Sequence, residues 1–157
     1  MSEKFVSSDK ASAETSPSRV IRIIVPFTPG GSNDVLAREL AAGFQTRFSQ
    51  TAVVENRPGG GGAIAYGMVE KAPPDGYTIL INTSSVAVNA SLYTSAGYNL
   101  EKDLVGVANV ANSPNVIVAG TSLQTKQLRE ALEAAKNGKM SYGSPGTGTT
   151  PHLSAEY

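Results

Sequence analysis

Small residues fill the turn that follows the first apolar run of the chain. Val20–Val25 is rich in β-branched residues and ends at Pro26, and apolar residues recur at helical spacing after Asp34. The first N–H groups of a helix have no partner within it, and Gly30 and Gly31 let the chain bring those donors close to a ligand. The turn therefore predicts an anion site made of backbone, suited to a carboxylate or a phosphate. The alternative is that the glycines only serve a tight strand-to-helix turn.

Asp34 has two candidate roles. If Gly31 is the N-cap, Asp34 stands where a capping-box acid would lie, and a carboxylate in the first turn favours the helix dipole. Alternatively, Asp34 accepts from a ligand ammonium group or an ordered water. The second role favours an amino acid over a plain diacid, because a bare carboxylate would oppose an anionic ligand.

A glycine run raises the alternative of a nucleotide site. Gly60-x-Gly62-x-x-Ala65 follows a strand and opens a helix, as in dinucleotide-binding proteins. However, Asn56–Gly59 intervenes before the first motif glycine, and the next strand ends in Asn82 where an acid for the ribose is expected. A structural role for these glycines is favoured, with Arg57 bridging Glu55.

Hydrolase and metal chemistry find little support. Ser144 lies among glycines as in a nucleophile elbow, but Tyr142 stands where that motif needs glycine. His152 is the only histidine, and no acid is placed to orient it. With no cysteine and no carboxylate cluster, a lone histidine predicts no metal site, and no cofactor is expected.

These residues are positioned by alternating strands and helices. Val20–Val25, Thr51–Glu55 and Tyr77–Ile81 are predicted strands, and helices are predicted after Asp34 and from Ala63. The β-α-β-α-β order predicts a parallel sheet covered on both faces, with ligands beyond the carboxyl ends of the strands. The hydroxyl residues after the third strand lie at such an end.

The remainder of the chain is less regular. Short helices are predicted at Val86–Tyr93 and from Pro151, and a clear helix at Lys126–Lys136. Two apolar runs, Leu104–Ala111 and Asn115–Ala119, are candidate strands.

Composition restricts the class of protein. The 157 residues fit one compact unit, and Lys+Arg 13 against Asp+Glu 13 leaves no basic excess for nucleic acid. No apolar run is long enough for a membrane span. Met1–Ser18 is polar and lacks the apolar middle of a secretory signal, so we expect a flexible leader there.

Four motifs in order resemble one family, the Bug-type solute receptors of bacterial tripartite tricarboxylate transporters. The motifs are Pro26-Phe27-x-Pro29-Gly30-Gly31-x-x-Asp34, Glu55-Asn56-Arg57-Pro58-Gly59-x-Gly61-Gly62, Pro74-Asp75-Gly76-Tyr77-Thr78, and Ser141-Tyr142-Gly143-Ser144-x-Gly146-x-Gly148 followed by Pro151-His152-Leu153. The resemblance covers about Val20 to Tyr157.

The resemblance implies a type II periplasmic-binding-protein fold, α/β, with two lobes around a ligand cleft and no catalysis. We expect a leader at 1–18, a parallel-sheet three-layer lobe 1 at 19–119, and the crossover and truncated start of lobe 2 at 120–157. The implied function is capture of a small carboxylate, either a di- or tricarboxylate or an acidic amino acid, in the periplasm for membrane transporter subunits. An incomplete second lobe also favours a homodimer. An α/β enzyme, nucleotide-dependent or hydrolytic, is the alternative.

In that architecture two loops from two lobes hold opposite ends of a dicarboxylate. The second loop, Ser144–Thr150, has the same small residues before a helix as the first. The expected ligand-binding residues are Phe27, Thr28, Pro29, Gly30, Gly31, Ser32, Asp34, Thr83, Ser84, Ser85, Ser144, Gly146, Thr147, Gly148, Thr149, Thr150 and His152.

Overall fold

A three-stranded parallel sheet forms the centre of the protein. The computed structural model describes residues 18–92, 98–125, 127–138 and 140–157. The strands are β1 (Ile21–Val25), β2 (Ala52–Asn56) and β3 (Thr78–Leu80), in the order β2-β1-β3. Ile23 pairs with Val54 on one side and with Ile79 on the other. The predicted parallel β-α-β-α-β arrangement is therefore confirmed, with strand ends that differ by at most one residue.

Helices connect and follow the strands within the described part of the chain. They are α1 (Ser32–Phe48), α2 (Ala63–Glu70) after a 3₁₀ turn (Gly60–Gly62), α3 (Ser85–Leu92), α4 (Leu100–Asp103), α5 (Leu128–Asn137) and α6 (Thr150–Glu156). None of them has both the length and the apolar character needed to span a bilayer.

The sheet is covered on both faces. Ile23 and Ile24 are neighbours on β1 and so point to opposite faces, and they are 1% and 0% exposed. Ile23 packs in a cluster with Ala37 of α1, while Tyr66 of α2 is fully buried. Right-handed crossovers to strands on either side of β1 require α1 and α2 to lie on opposite faces. The result is the predicted three-layer lobe, in which each buried isoleucine contributes about 1.5–3 kcal/mol.

The two apolar runs in the middle of the chain are not strands in the structure. Neither Leu104–Ala111 nor Asn115–Ala119 pairs with any described strand, and Val105 and Ile117 are 89% and 72% exposed. The prediction of strands there was wrong because β-branched composition makes a strand only where a neighbouring backbone completes the ladder.

Parts of three predicted segments lie outside the described residues. Of the predicted leader only Ser18 is described, and its N–H donates to the Tyr77 hydroxyl at 2.8 Å. Tyr93 and Lys126, predicted as helix ends, also lie outside them, and the corresponding helices occupy Ser85–Leu92 and Leu128–Asn137.

Candidate functional site

The loop after β1 leads into helix α1, whose N-terminus has no side-chain cap among the described residues. This helix end lies at the switch point of the sheet, where the strand order reverses. β2 and β3 lie on opposite sides of β1, so the strand order reverses at β1, and the crevice at such a point is where open α/β sheets bind ligands. Gly31 is the N-cap of the 17-residue helix α1, and no side chain caps it. Gly30 has φ +89°, which a residue with a Cβ rarely adopts. The first N–H groups of α1 are therefore left for another acceptor.

The protein itself satisfies the carboxylate of Asp34. Its Oδ2 accepts from the Gly30 N–H at 3.0 Å and from Arg38 Nε at 3.0 Å. Its Oδ1 accepts from Arg38 Nη2 at 3.1 Å and from Asn56 Nδ2 at 3.0 Å. The Arg38 guanidinium, then the Gly30 N–H, lowers the pKa of Asp34 to about 2. Asp34 therefore stays ionised and positions the loop, reaching Gly30 where a standard capping box would reach the N-cap Gly31.

Asn56 fastens the same loop to the end of β2. Its Nδ2 donates to the Phe27 carbonyl at 3.1 Å as well as to Asp34. The Arg57 N–H donates to the Val25 carbonyl at 2.7 Å. The loop is thus held from β2 on one side and from α1 on the other.

Glu55 joins the two strands behind the loop. Its bridge to Arg57, expected from the sequence, is confirmed at 2.8 Å. A second pair was missed: Arg22 of β1 donates through Nε at 2.7 Å and through Nη2 at 3.1 Å. Arg22 is the main cause that lowers the pKa of Glu55 to about 2.

The hydroxyl residues after β3 partly satisfy one another. Thr83 Oγ1 and Ser85 Oγ lie 2.8 Å apart, and the Ser85 N–H donates to Thr83 Oγ1 at 3.3 Å. Ser85 is 2% exposed at the start of α3, whereas Ser84 is exposed. Thr83 is exposed as well, so Thr83 and Ser84 are the accessible residues among the three.

The glycine run packs against protein rather than leaving a phosphate cradle. Gly62 has φ +101°, and a Cβ placed there would lie 2.5 Å from the ring of Tyr66. The Tyr66 hydroxyl donates to Asn82 Oδ1 at 3.2 Å, and burial raises the pKa of Tyr66 to about 12. This geometry supports the structural role of the glycine run.

The second loop lies against the first lobe through Asn89. Asn89 Nδ2 donates to the Gly61 carbonyl, and a Cβ at Gly148 would overlap Asn89 Oδ1. Thr149 caps α6, since its Oγ1 accepts from the His152 N–H at 3.4 Å and donates to the Gly146 carbonyl at 2.7 Å. No hydrogen bond joins Ser144 to His152 in the described part of the chain.

One broad groove brings most of the expected residues together. Those that line it are Phe27, Thr28, Gly31, Ser32, Thr83, Ser84, Ser85, Gly146, Thr147, Thr149 and Thr150. Those that do not are Pro29, Gly30, Asp34, Ser144, Gly148 and His152.

Two asparagines on this groove were missed by the sequence reasoning. Asn33, in the first turn of α1, is 5% exposed, and Asn82 directly follows β3. In each the buried Nδ2 has no hydrogen-bond partner among the described residues. The available signal was position, because Asn33 lies at the start of the helix that follows β1 and Asn82 follows the neighbouring strand β3.

Solved structures place this three-layer parallel lobe, with its groove at the switch point, in the class of periplasmic binding proteins. The structure of a periplasmic transporter matches with a TM-score of 0.83 and 41% identity, covering 90% of this chain and 48% of that one. An R. palustris protein determined with adipate matches with a TM-score of 0.82 and 35% identity, over 90% of this chain and 48% of that one.

The family follows from the sequence comparison. Residues 36–157 match the model of the tripartite tricarboxylate transporter family receptor, and the chain belongs to this family. It is 42% identical to protein BugT of Bordetella pertussis over 150 residues, 92% of this chain and 46% of BugT. The chain thus spans about half the length of the relatives it matches. These comparisons give no support to an α/β enzyme.

Proposed function

We propose that the chain forms the first ligand-binding lobe of a periplasmic solute receptor that captures a small carboxylate for the membrane subunits of a tripartite tricarboxylate transporter. The observation that carries the proposal is the uncapped N-terminus of α1 at the switch point between β1 and β3. A helix N-terminus favours an anion through its free N–H groups and its dipole.

Neutral donors dominate the groove. Among its described lining residues Lys102 is the only cation, and Glu70 and Asp103 also line it. Hydrogen bonds to a charged group contribute about 1.5–3 kcal/mol each. A few such bonds, less the cost of association, give an affinity on the order of millimolar for one lobe. Additional donors from a second lobe would strengthen it.

A di- or tricarboxylate suits this site better than an acidic amino acid. The amino acid alternative needs a free Asp34 carboxylate to accept from the ligand ammonium, and Arg38, Gly30 and Asn56 already occupy it. The similarity to an R. palustris protein determined with adipate, a dicarboxylate, supports this choice.

The second loop is proposed to contact the other end of the ligand. Gly146, Thr147, Thr149 and Thr150 line the same groove as Thr28 and Ser32. Their small side chains leave backbone groups accessible. The homodimer expected from the sequence stays a prediction.

The test is an NMR titration of the ¹⁵N-labelled chain with adipate. We expect shifts of the Gly31, Ser32 and Asn33 backbone amides, and loss of those shifts in Gly31→Val. Gly31 has φ −78° and an added Cβ would meet nothing closer than 3.8 Å, so valine should crowd the donors without disturbing the fold.

Gly43→Val is the matched control on the same helix. Its added Cβ meets no atom within 4 Å, and it lies outside the groove. Adipate shifts that persist in Gly31→Val, or a wild-type chain that responds to no carboxylate, would refute the proposal.

A further inference from the structure

The side-chain NH₂ group of Asn33 is a buried donor that has no acceptor among the described residues. Its side chain lies at the N-terminus of α1, lines the groove and is 5% exposed, yet Nδ2 has no partner among the described residues. Burying an amide N–H without an acceptor costs about 1–3 kcal/mol. A position that carries this cost in the first turn of a helix is suited to an external acceptor.

Asn82 presents a second such donor from the neighbouring strand. Its Oδ1 accepts from the Tyr66 hydroxyl at 3.2 Å. Its Nδ2 is buried, lines the same groove and has no described partner. The Ile81 N–H donates to the Ile24 carbonyl at 3.0 Å, so Asn82 lies beside the end of β1, where the loop to α1 begins.

We infer that the side-chain amides of Asn33 and Asn82 are specificity-determining donors that bind the two oxygens of a ligand carboxylate together with the first N–H groups of α1. This inference rests on the proposed function and names the side chains that select the ligand. The two Nδ2 groups and the first N–H groups of α1 are all donors, so they suit the oxygens of a carboxylate. A primary amide is rejected because its own NH₂ meets donors and leaves them unpaired.

The first experiment follows the side-chain NH₂ signals of Asn33 and Asn82 in the ¹⁵N-labelled chain. Adipate should shift both pairs of signals, and adipamide, its uncharged diamide, should shift neither at the same concentration. If adipate shifts the Gly31–Asn33 backbone amides but neither side-chain pair, the inference is wrong while the proposed function stands. If adipate shifts nothing, both are wrong.

The second experiment uses Asn33→Leu, which removes the donor without adding charge. Leucine replaces an unsatisfied buried amide, so the thermal midpoint should stay equal or rise, while the dissociation constant for adipate should increase about tenfold. A purely structural asparagine predicts the opposite, a lower midpoint with unchanged adipate binding.

The third experiment turns each donor into an acceptor of nearly the same shape. Asn33→Asp adds a carboxylate that the first turn of α1 tolerates, and Asn82→Asp keeps the acceptor for Tyr66. Each should weaken adipate binding by tenfold or more, by roughly one charged hydrogen bond. The matched control, Gln45→Glu, makes the same change at an exposed position about three turns along α1 and should leave binding unaltered. Unchanged affinity in both aspartate variants would overturn the inference.

Discussion

The Oδ2 atom of Asp34 accepts a hydrogen bond from the Gly30 N–H at 3.0 Å, so the first turn of α1 holds the loop that leads into it. Gly30 needs φ +89° to make this bond, and Arg38 one turn later neutralises the carboxylate. The donor of this bond, Gly30, is the residue immediately before the N-cap Gly31. The N–H groups of Gly31, Ser32 and Asn33 therefore stay available to an anion.

Replacing Asp34 by asparagine should destabilise the protein. The amide keeps one acceptor oxygen but places an NH₂ group among the donors from Gly30, Arg38 and Asn56. We expect the thermal midpoint, followed by circular dichroism, to fall by on the order of 5 °C. Glu39→Gln, at an exposed position on the same helix, should leave the midpoint within about 1 °C. Equal midpoints for the two variants would contradict this role.

Stability should fall in acid through Asp34 and Glu55. Their pKa values are lowered to about 2, from ordinary values of 3.8 and 4.5. The unfolded chain therefore binds protons first, so the stabilisation is fully present above pH 4.5 and is lost as the pH falls toward 2. Urea midpoints between pH 7 and pH 2.5 should show this decline, and the double variant Asp34→Asn, Glu55→Gln should show a flatter profile. A wild-type profile that is already flat would exclude these carboxylates as its cause.

The elements near the site could be predicted because their signals are local. β1 and α1 follow from a β-branched run, a glycine turn and helical spacing within Ile21–Phe48. The Arg22–Glu55 pair spans 33 residues and depends on the parallel register that sets Ile24 opposite Glu55. A pattern of neighbouring residues in the sequence does not reveal that register, so the pair could not be predicted.

The roles of Asn33 and Asn82 were hidden for the same reason. An asparagine after a strand or in a first helical turn is an ordinary turn residue by composition. Only the packed structure shows that its Nδ2 is buried and has no partner among the residues the structure describes. The run Leu104–Ala111 shows the converse, since its strand-like composition lacks a described neighbour to pair with.

Arg38 should support anion binding without contacting the ligand. Its side chain is 58% exposed and pairs with Asp34 at 3.0 Å, so Arg38→Gln leaves a net negative charge beneath the site. We expect the dissociation constant for adipate to rise roughly threefold at low salt, and by less at high salt. Arg47→Gln, in the last turn of the same helix, is the control for loss of one positive charge. The same increase in both variants would indicate a general charge effect and would rule out this role.

Gly62 should tolerate a side chain poorly. At φ +101° an added methyl group would lie 2.5 Å from the Tyr66 ring. The ring is held on two sides, because its centroid lies 4.8 Å from that of Tyr98 and its hydroxyl donates to Asn82. Gly62→Ala should therefore lower the free energy of unfolding by about 1–3 kcal/mol, measured by urea denaturation.

Gly67→Ala provides the matched control five residues along the chain. Gly67 lies within α2, and its added Cβ meets no atom within 4 Å, so alanine there should raise the free energy of unfolding by about 0.5–1 kcal/mol. The two substitutions are chemically identical, but they should change the free energy of unfolding in opposite directions. Because Tyr66 orients Asn82, Gly62→Ala should also weaken adipate binding at a temperature where the variant is still folded. A Gly62→Ala protein as stable as Gly67→Ala would mean that Tyr66 does not pack against the glycine turn as described.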